Sequence, residues 1–318
     1  MKIAIVGCGA LGGFYGAKLL GHSDDIHFLF RSDFETVKQR GLKIRSLDGD
    51  FHCRPRCYQR PEEIGPVDLV IIGLKSIANE HFKDLLTPLV SERTTVLSLQ
   101  NGLGNTDQLA TLFTPGQIMG GLCFVCLNRI EPGLIDHIAH GRITLGEYQR
   151  PPEPRTHDIA QLFERSGIPC QVLETLEAGQ WEKLVWNIPF NGLGVAASLG
   201  LAAFQESKDI DTLPKGAPMN TKELLNSASW SELVKALMLE IITVANLYQS
   251  GINNTLADTM IQRTREMGEY KASTVLDFEK GVPMELDSIF FEPLRRAEAK
   301  NAPTPILKRL CHVLGRFA

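Results

Sequence analysis

Three groups of residues in this 318-residue chain have the types and placement to do chemistry. The first is Gly7, Gly9 and Gly12 in "KIAIVGCGALGG", a GxGxxG run directly behind an apolar strand and ahead of the helical "FYGAKLL". Strand, tight turn and helix in that order are the context a dinucleotide fingerprint requires. Lacking a Cβ, Gly7 allows the turn, Gly9 lets backbone approach a pyrophosphate, and Gly12 lets the helix pack on the strand with its first amides facing the anion. The candidate cofactor loop is therefore Gly7, Cys8, Gly9, Ala10, Leu11 and Gly12. The second group is Lys183, Asn187 and Asn191 in "QWEKLVWNIPFNGLG". At i, i+4 and i+8 they fall within a stripe about 80° wide on an α-helix, a charged and amide-lined stripe where an apolar face is expected. The plain alternative, a solvated lysine with asparagines that cap or break the helix, stays open.

A third set lies where strands end. An NAD site calls for an acid at the end of the second strand, to accept from the ribose hydroxyls. Here "FLFRSD" puts Arg31 first past the apolar run, where a guanidinium pairs with a 2′-phosphate and stacks on adenine. NADP(H) is the expected cofactor; Asp33, two residues on, is the feature that would serve NAD instead. Lys75 in "GLKS" and Asn101 in "LQNGLGN" also follow apolar strands, and ligands of open parallel sheets bind beyond the carboxyl ends of strands. Singly, each is equally well a loop residue.

The elements that must position these residues follow from patterning. Buried parallel strands read as continuous apolar runs, here at 3–6, 26–31, 67–75, 94–99 and 117–127. Helices are expected near 34–39, 80–90, 106–113 and within 156–166, with hairpins around Asp48-Gly49 and within 131–147, and a closing strand in "PCQVLETL". Strands alternating with helices make a parallel sheet with right-handed crossovers. The expectation is a Rossmann-like domain over 1–172 and a mostly α-helical domain over 173–318, where helical periodicity takes over. Residues 201–219 show no clear period and read as an inserted loop.

Bulk properties narrow the function. A net charge of −4 gives no basic footprint for nucleic acid, and no apolar run is long enough to span a bilayer. Seven scattered cysteines without an export signal indicate reduced thiols and a cytoplasmic location. "HCRPRC" (52–57) lacks a second ligand pair, so no metal is expected; neither a GxSxG elbow nor an HExxH helix supports a hydrolase. The expected partner is a small molecule, with no nucleic acid and no membrane; a homodimer is left open.

Taken in order, "KIAIVGCGALGG", "FLFR", "GLKS", "LQNGLGN", "HIAHGRITLGE", "WEKLVWNIPFN" and "STVLDFEKGVPMELD" resemble the ketopantoate reductase (2-dehydropantoate 2-reductase) family over nearly the whole chain. The resemblance implies NADPH-dependent reduction of a 2-oxo acid, ketopantoate to pantoate, on the route to pantothenate and coenzyme A. It implies Lys183 as the acid that protonates the ketone oxygen and Glu285 as a catalytic partner that engages substrate and positions the lysine. It makes Asn187, Asn191 and Ser273 substrate-binding, and Arg31, Lys75 and Asn101 cofactor-binding with the glycine loop. Asn220 in "MNTKELL" stands for a further family asparagine.

Three departures from the family pattern carry expectations of their own. Phe290 and Phe291 stand where Asn-Gly is expected, an aromatic pocket edge that would suit a different 2-oxo acid. Pro189 lies between the two asparagines and is expected to kink the helix. The 201–219 insertion shifts the register of Asn220. A reading of another class, an NADP(H)-binding module without turnover, has no need of Lys183, Asn187 and Glu285.

Overall fold

The computed structural model describes residues 1–22, 25–206 and 213–317. The chain divides into two compact units: residues 1–101 with 105–176, and residues 177–318 with 102–104. The boundary expected from the sequence is 172/173, with helical periodicity from Glu177 onward.

In the first unit the apolar runs form one sheet. Its strands are β1 (Ile3–Val6), β2 (Ile26–Leu29), β3 (Leu42–Ser46), β4 (Phe51–Cys53), β5 (Arg56–Tyr58), β6 (Leu69–Ile72), β7 (Thr95–Ser98), β8 (Ile118–Glu131), β9 (Leu134–Glu147) and β10 (Cys170–Val172). The order is β4-β3-β9-β8-β7-β6-β1-β2-β5, with β10 beside β9. β1 lies parallel between β2 and β6 (Ile3 opposite Ile26 and Leu69), which is the doubly wound core. All four residues of β1, β2, β6 and β7 are buried, because both sheet faces are covered. Ile3 and Ile5 enter one apolar cluster and Ala4 and Val6 the other, as the period of two requires. β8 and β9 pair in a long antiparallel hairpin with register shifts at three places; the chain reverses at residues 132–133, so the hairpin expected within 131–147 is instead one strand, β9, paired back onto the 117–127 run.

Helices α1 (Ala10–Leu20), α2 (Phe34–Arg40), α3 (Phe82–Leu86), α4 (Asn105–Ala110) and α5 (Pro154–Arg165) connect or cover the strands. The single helix expected over 80–90 is a short α3 between 3-10 turns at Ser76–His81 and Thr87–Leu89, since Pro88 cannot continue a helix. α5 is anchored at its start by the buried Glu147. Its carboxylate accepts from Arg155 Nε (3.1 Å) and Nη2 (2.6 Å), Arg150 Nη2 (3.2 Å) and Thr156 Oγ1 (2.6 Å).

The second unit is helical: α6 (Leu176–Asn187), which ends the first unit's chain at its first residue, then α7 (Gly194–Ala196), α8 (Leu201–Glu206), α9 (Thr221–Asn226), α10 (Ala228–Leu247), α11 (Thr255–Glu266), α12 (Ser273–Lys280), α13 (Glu292–Ala299) and α14 (Pro305–Gly315). Its core gathers Trp181, Leu184 and Ile188 with Val234, Leu237 and Met238 of α10 and Leu307 and Leu310 of α14. Glu240 of α10 accepts from the Ile306 and Leu307 amides, both at 3.0 Å, and so caps α14 from a neighbouring helix.

Three expectations need correction here. The inserted loop is in part helix: residues 201–206 form α8, with Phe204 fully buried, while 207–212 lie outside the described residues. Pro189 does not make a simple kink; the chain widens into a π-helical turn over Ile188–Leu193 and runs on into α7. Phe290 is no pocket edge: it is 0% exposed within the core, and a Cβ on Gly192 would come within 2.7 Å of its ring. The Phe290 ring and the Leu310 side chain, at 2.5 Å from such a Cβ, together fill the space that Gly192 leaves, and Phe291 is partly buried on the same core.

Candidate active site

In the glycine loop, each glycine is required for a different reason. Gly7 has φ +90°, and a Cβ there would lie 2.5 Å from the Leu74 amide. A Cβ on Gly12 would lie 2.3 Å from the Gly7 carbonyl, and one on Gly73 would lie 2.7 Å from the Gly12 amide. Gly7, Gly12 and Gly73 thus interlock β1, α1 and β6 at backbone contact; Gly73 is a member that no spacing motif marks. Gly9 is different: a Cβ there meets no protein atom within 4 Å. Protein packing does not demand a glycine at position 9, whereas close approach of a pyrophosphate does. Gly9 is also the N-cap of α1, whose first turn carries no acidic residue, so the positive end of the helix faces that open space. The loop accordingly fits a dinucleotide phosphate.

Cys8 points inward, its thiol donating to the Ile5 carbonyl (3.3 Å). Burial, then the neighbouring Cys57 and Asp33, push this thiol well above the usual range, so it offers the backbone of the loop and no nucleophile. Ala10 and Leu11 open α1 and are partly buried.

Beyond β2, Arg31 is exposed and Asp33 is 6% exposed. The Asp33 carboxylate is filled by donors: Arg129 Nε on Oδ2 (2.9 Å), Arg129 Nη2 on Oδ1 (2.5 Å), the Gly133 amide on Oδ2 (3.2 Å) and Ser32 Oγ on Oδ1 (2.7 Å). Burial opposes ionisation, but these bonds outweigh it and hold the carboxyl below its ordinary range.

Lys75 is exposed at the start of the Ser76–His81 turn, and Asn101 follows β7. That turn buries no residue, so packing does not fix it; an amide network does. Asn79 accepts from Gln100 Nε2 (2.7 Å) and donates to Asn105 Oδ1 (2.8 Å) and Gln108 Oε1 (2.7 Å), while Asn105 donates to the Asn101 carbonyl (2.8 Å). Sequence reasoning missed Asn79, because an asparagine in a loop carries no periodic signal.

In the second unit, Lys183 and Asn187 are half-buried on α6, one turn apart. Asn191 is 1% exposed in the widened turn. Its Nδ2 donates to the Asn187 carbonyl (2.9 Å), and its Oδ1 accepts from the Thr274 amide (2.8 Å) and Ser273 Oγ (3.3 Å). This side chain ties the π turn to the first turn of α12 and fixes Ser273, which is itself exposed. Glu285 is 8% exposed just ahead of a second π-helical turn, Asp287–Phe291. The two widened turns meet where Gly192 receives Phe290. Gly102, with φ +86°, comes against the Ser288 carbonyl, to which the Leu103 amide donates (2.8 Å). Asn220 caps α9 in a reciprocal pair with Glu223: its Oδ1 accepts from the Glu223 amide (3.0 Å), and its own amide donates to Glu223 Oε2 (2.8 Å).

His52 Nε2 donates to the Arg40 carbonyl (2.8 Å), and burial raises Cys53 and Cys57 to about 11. Among the described residues, no three His, Cys, Asp or Glu side chains group as metal ligands, and no helix is long and apolar enough to cross a membrane.

The model of the PanE/ApbA ketopantoate reductases matches residues 3–150, and that of their C-terminal region matches residues 215–318. A 2-dehydropantoate 2-reductase of Nostoc sp. (strain PCC 7120) is 36% identical, over 98% of this chain and 94% of its own. Among solved structures, a 2-dehydropantoate 2-reductase from Geobacter metallireducens superposes with a TM-score of 0.89 at 40% identity, covering all of both chains. One from Methylococcus capsulatus does so with 0.86 at 29% identity, over 99% of this chain and 96% of that one.

Proposed function

Because the chain belongs to the ketopantoate reductase family of oxidoreductases, we propose that it reduces 2-dehydropantoate to pantoate with NADPH as reductant and Lys183 as acid. The observation that carries this reading is the glycine loop, where Gly7 and Gly12 answer to protein contacts and Gly9 borders open space that a pyrophosphate would fill. A bound reduced nicotinamide supplies the hydride for the ketone carbon. The chain supplies the rest.

Negative charge grows on the ketone oxygen as the hydride arrives, so a cationic donor stabilises the transition state more than the ground state. Lys183 fills that role and passes its proton to the oxygen. Glu285 engages the substrate and orients the lysine, with its carboxylate sheltered from water. Asn187 and Ser273 bond the substrate's polar groups, and Asn191 acts through Ser273, since its amide is engaged within the protein. Lys75, Asn101 and Arg31 face the cofactor. Asp33 supports NADP over NAD, because its carboxylate has no site left for ribose hydroxyls. Asn220 uses its Oδ1 to cap α9. The seven cysteines are all free thiols, in keeping with the reducing cytoplasm in which such a reaction would run.

Purified protein should consume NADPH only when 2-dehydropantoate is present, forming one pantoate per NADPH. Steady binding of NADPH without consumption would refute the reaction and leave a cofactor-binding module.

A further inference from the structure

We infer that Arg129 sets cofactor choice, by occupying Asp33 and so leaving the position beyond β2 to Arg31 and a 2′-phosphate. This rests on the NADPH reading and deepens it. The end of the second strand is where an acid in this fold selects NAD, by accepting from the ribose hydroxyls. This chain has an acid two residues past Arg31, ionised and therefore capable of that role. What disarms it is not its position but its occupancy.

A carboxylate offers about four lone-pair sites. Asp33 has four donors: two from the Arg129 fork, one from the Gly133 amide and one from Ser32 Oγ. Arg129 is on β8, 96 positions away in sequence, so no local motif reveals the pair. Its fork matches both carboxylate oxygens, the geometry that makes such pairs strong. The charge of Asp33 also acts on Cys8 in the glycine loop, which places this carboxylate within electrostatic range of the cofactor loop.

Without Arg129, two acceptor sites open and the negative charge loses its counterion. A 2′-phosphate would then meet a like charge, and a ribose diol would find a free acceptor. NADPH loses affinity and NADH gains it.

The test is direct binding of NADPH and of NADH to the full chain, comparing wild type, Arg129→Leu, Asp33→Asn and the double variant. The leucine keeps much of the aliphatic stem. In Arg129→Leu the NADPH-to-NADH affinity ratio should fall by about tenfold or more, with the double variant back within about threefold of wild type, since the unpaired charge is gone although the ion pair is still missing. Asp33→Asn alone gives a reading that does not depend on folding without Arg129, and its ratio should stay at the wild-type value or move toward NADPH. A wild type that binds NADH as tightly as NADPH would overturn the NADPH reading itself. A wild type that prefers NADPH, with Arg129→Leu weakening both cofactors equally or leaving the ratio unchanged, would overturn the role of Arg129 alone. So would a shift of Asp33→Asn toward NADH.

Discussion

The glycine loop of the first unit and the widened turn of the second hold their chemistry by opposite means. In the loop, backbone meets backbone: Gly7, Gly12 and Gly73 touch through main-chain atoms, and no side chain is needed. In the turn, one side chain does the holding, with Asn191 reaching a carbonyl on its own helix and an amide and a hydroxyl on α12. A backbone device leaves a mark in sequence, because only glycine satisfies it. A side-chain device leaves little, because an asparagine serves in many other places.

The sharpest way to break this comparison is to substitute within the loop itself. Gly12→Ala forces a Cβ to 2.3 Å from the Gly7 carbonyl, where neither backbone can yield. It should cost about 2 kcal/mol or more in denaturant unfolding and abolish cofactor binding, as overpacking does. Gly9→Ala adds a methyl to open space at φ −74°. Its stability should match wild type, while NADPH binding weakens by about tenfold or more, the signature of a glycine kept for a ligand. Equal behaviour of the two variants would erase the distinction drawn between them.

A smaller effect separates the two units by one glutamate each, Glu147 buried in the first and Glu240 half-buried in the second. Burial disfavours the charge on Glu147, but its bonds from Arg155 and Thr156, with the charges of Arg155 and Arg150, outweigh this and hold its carboxyl below the ordinary range. The stability it contributes is fully present above the unfolded value of about 4.3 and is lost as pH falls through the depressed folded value. Glu240 is shifted the other way, raised by burial against the opposing Ile306 and Leu307 amides. Its folded form takes up a proton at higher pH than the unfolded chain, so acid favours the fold there. Hydrogen exchange on acidification through about pH 4 should therefore rise around Glu147 and the start of α5 while α10 and α14 near Glu240 hold or tighten. Parallel loosening of both regions would show that these carboxyls do not govern their surroundings.

The same contrast explains what could be read from the chain beforehand. The parallel strands were legible because burial on both faces leaves continuous apolar runs, as in "VDLVIIG". The β8–β9 hairpin was legible only in part: the apolar run 117–127 marks its first strand, but the reversal lies at 132–133 and the stretch 134–147, expected to hold a hairpin, is one strand. The geometry around Asn191 was not: an α-helical spacing assumes 100° per residue, and a π turn advances less, so the stripe of Lys183, Asn187 and Asn191 does not carry through Pro189. Phe290 was read as a pocket edge because its neighbour across the core, Gly192, lies 98 positions away and only the fold brings them together. The locking of Asp33 by Arg129 escaped for the same reason, and with it the physical ground for preferring Arg31.

The central claim is that Lys183 gives the proton while other residues hold the cofactor, and one measurement tests it most directly. Wild type and Lys183→Ala are compared for NADPH binding and for pantoate formation from 2-dehydropantoate. The account predicts unchanged binding with turnover reduced by a factor of about 10² or more, the scale of a lost general acid. A variant that keeps most of its turnover would contradict it.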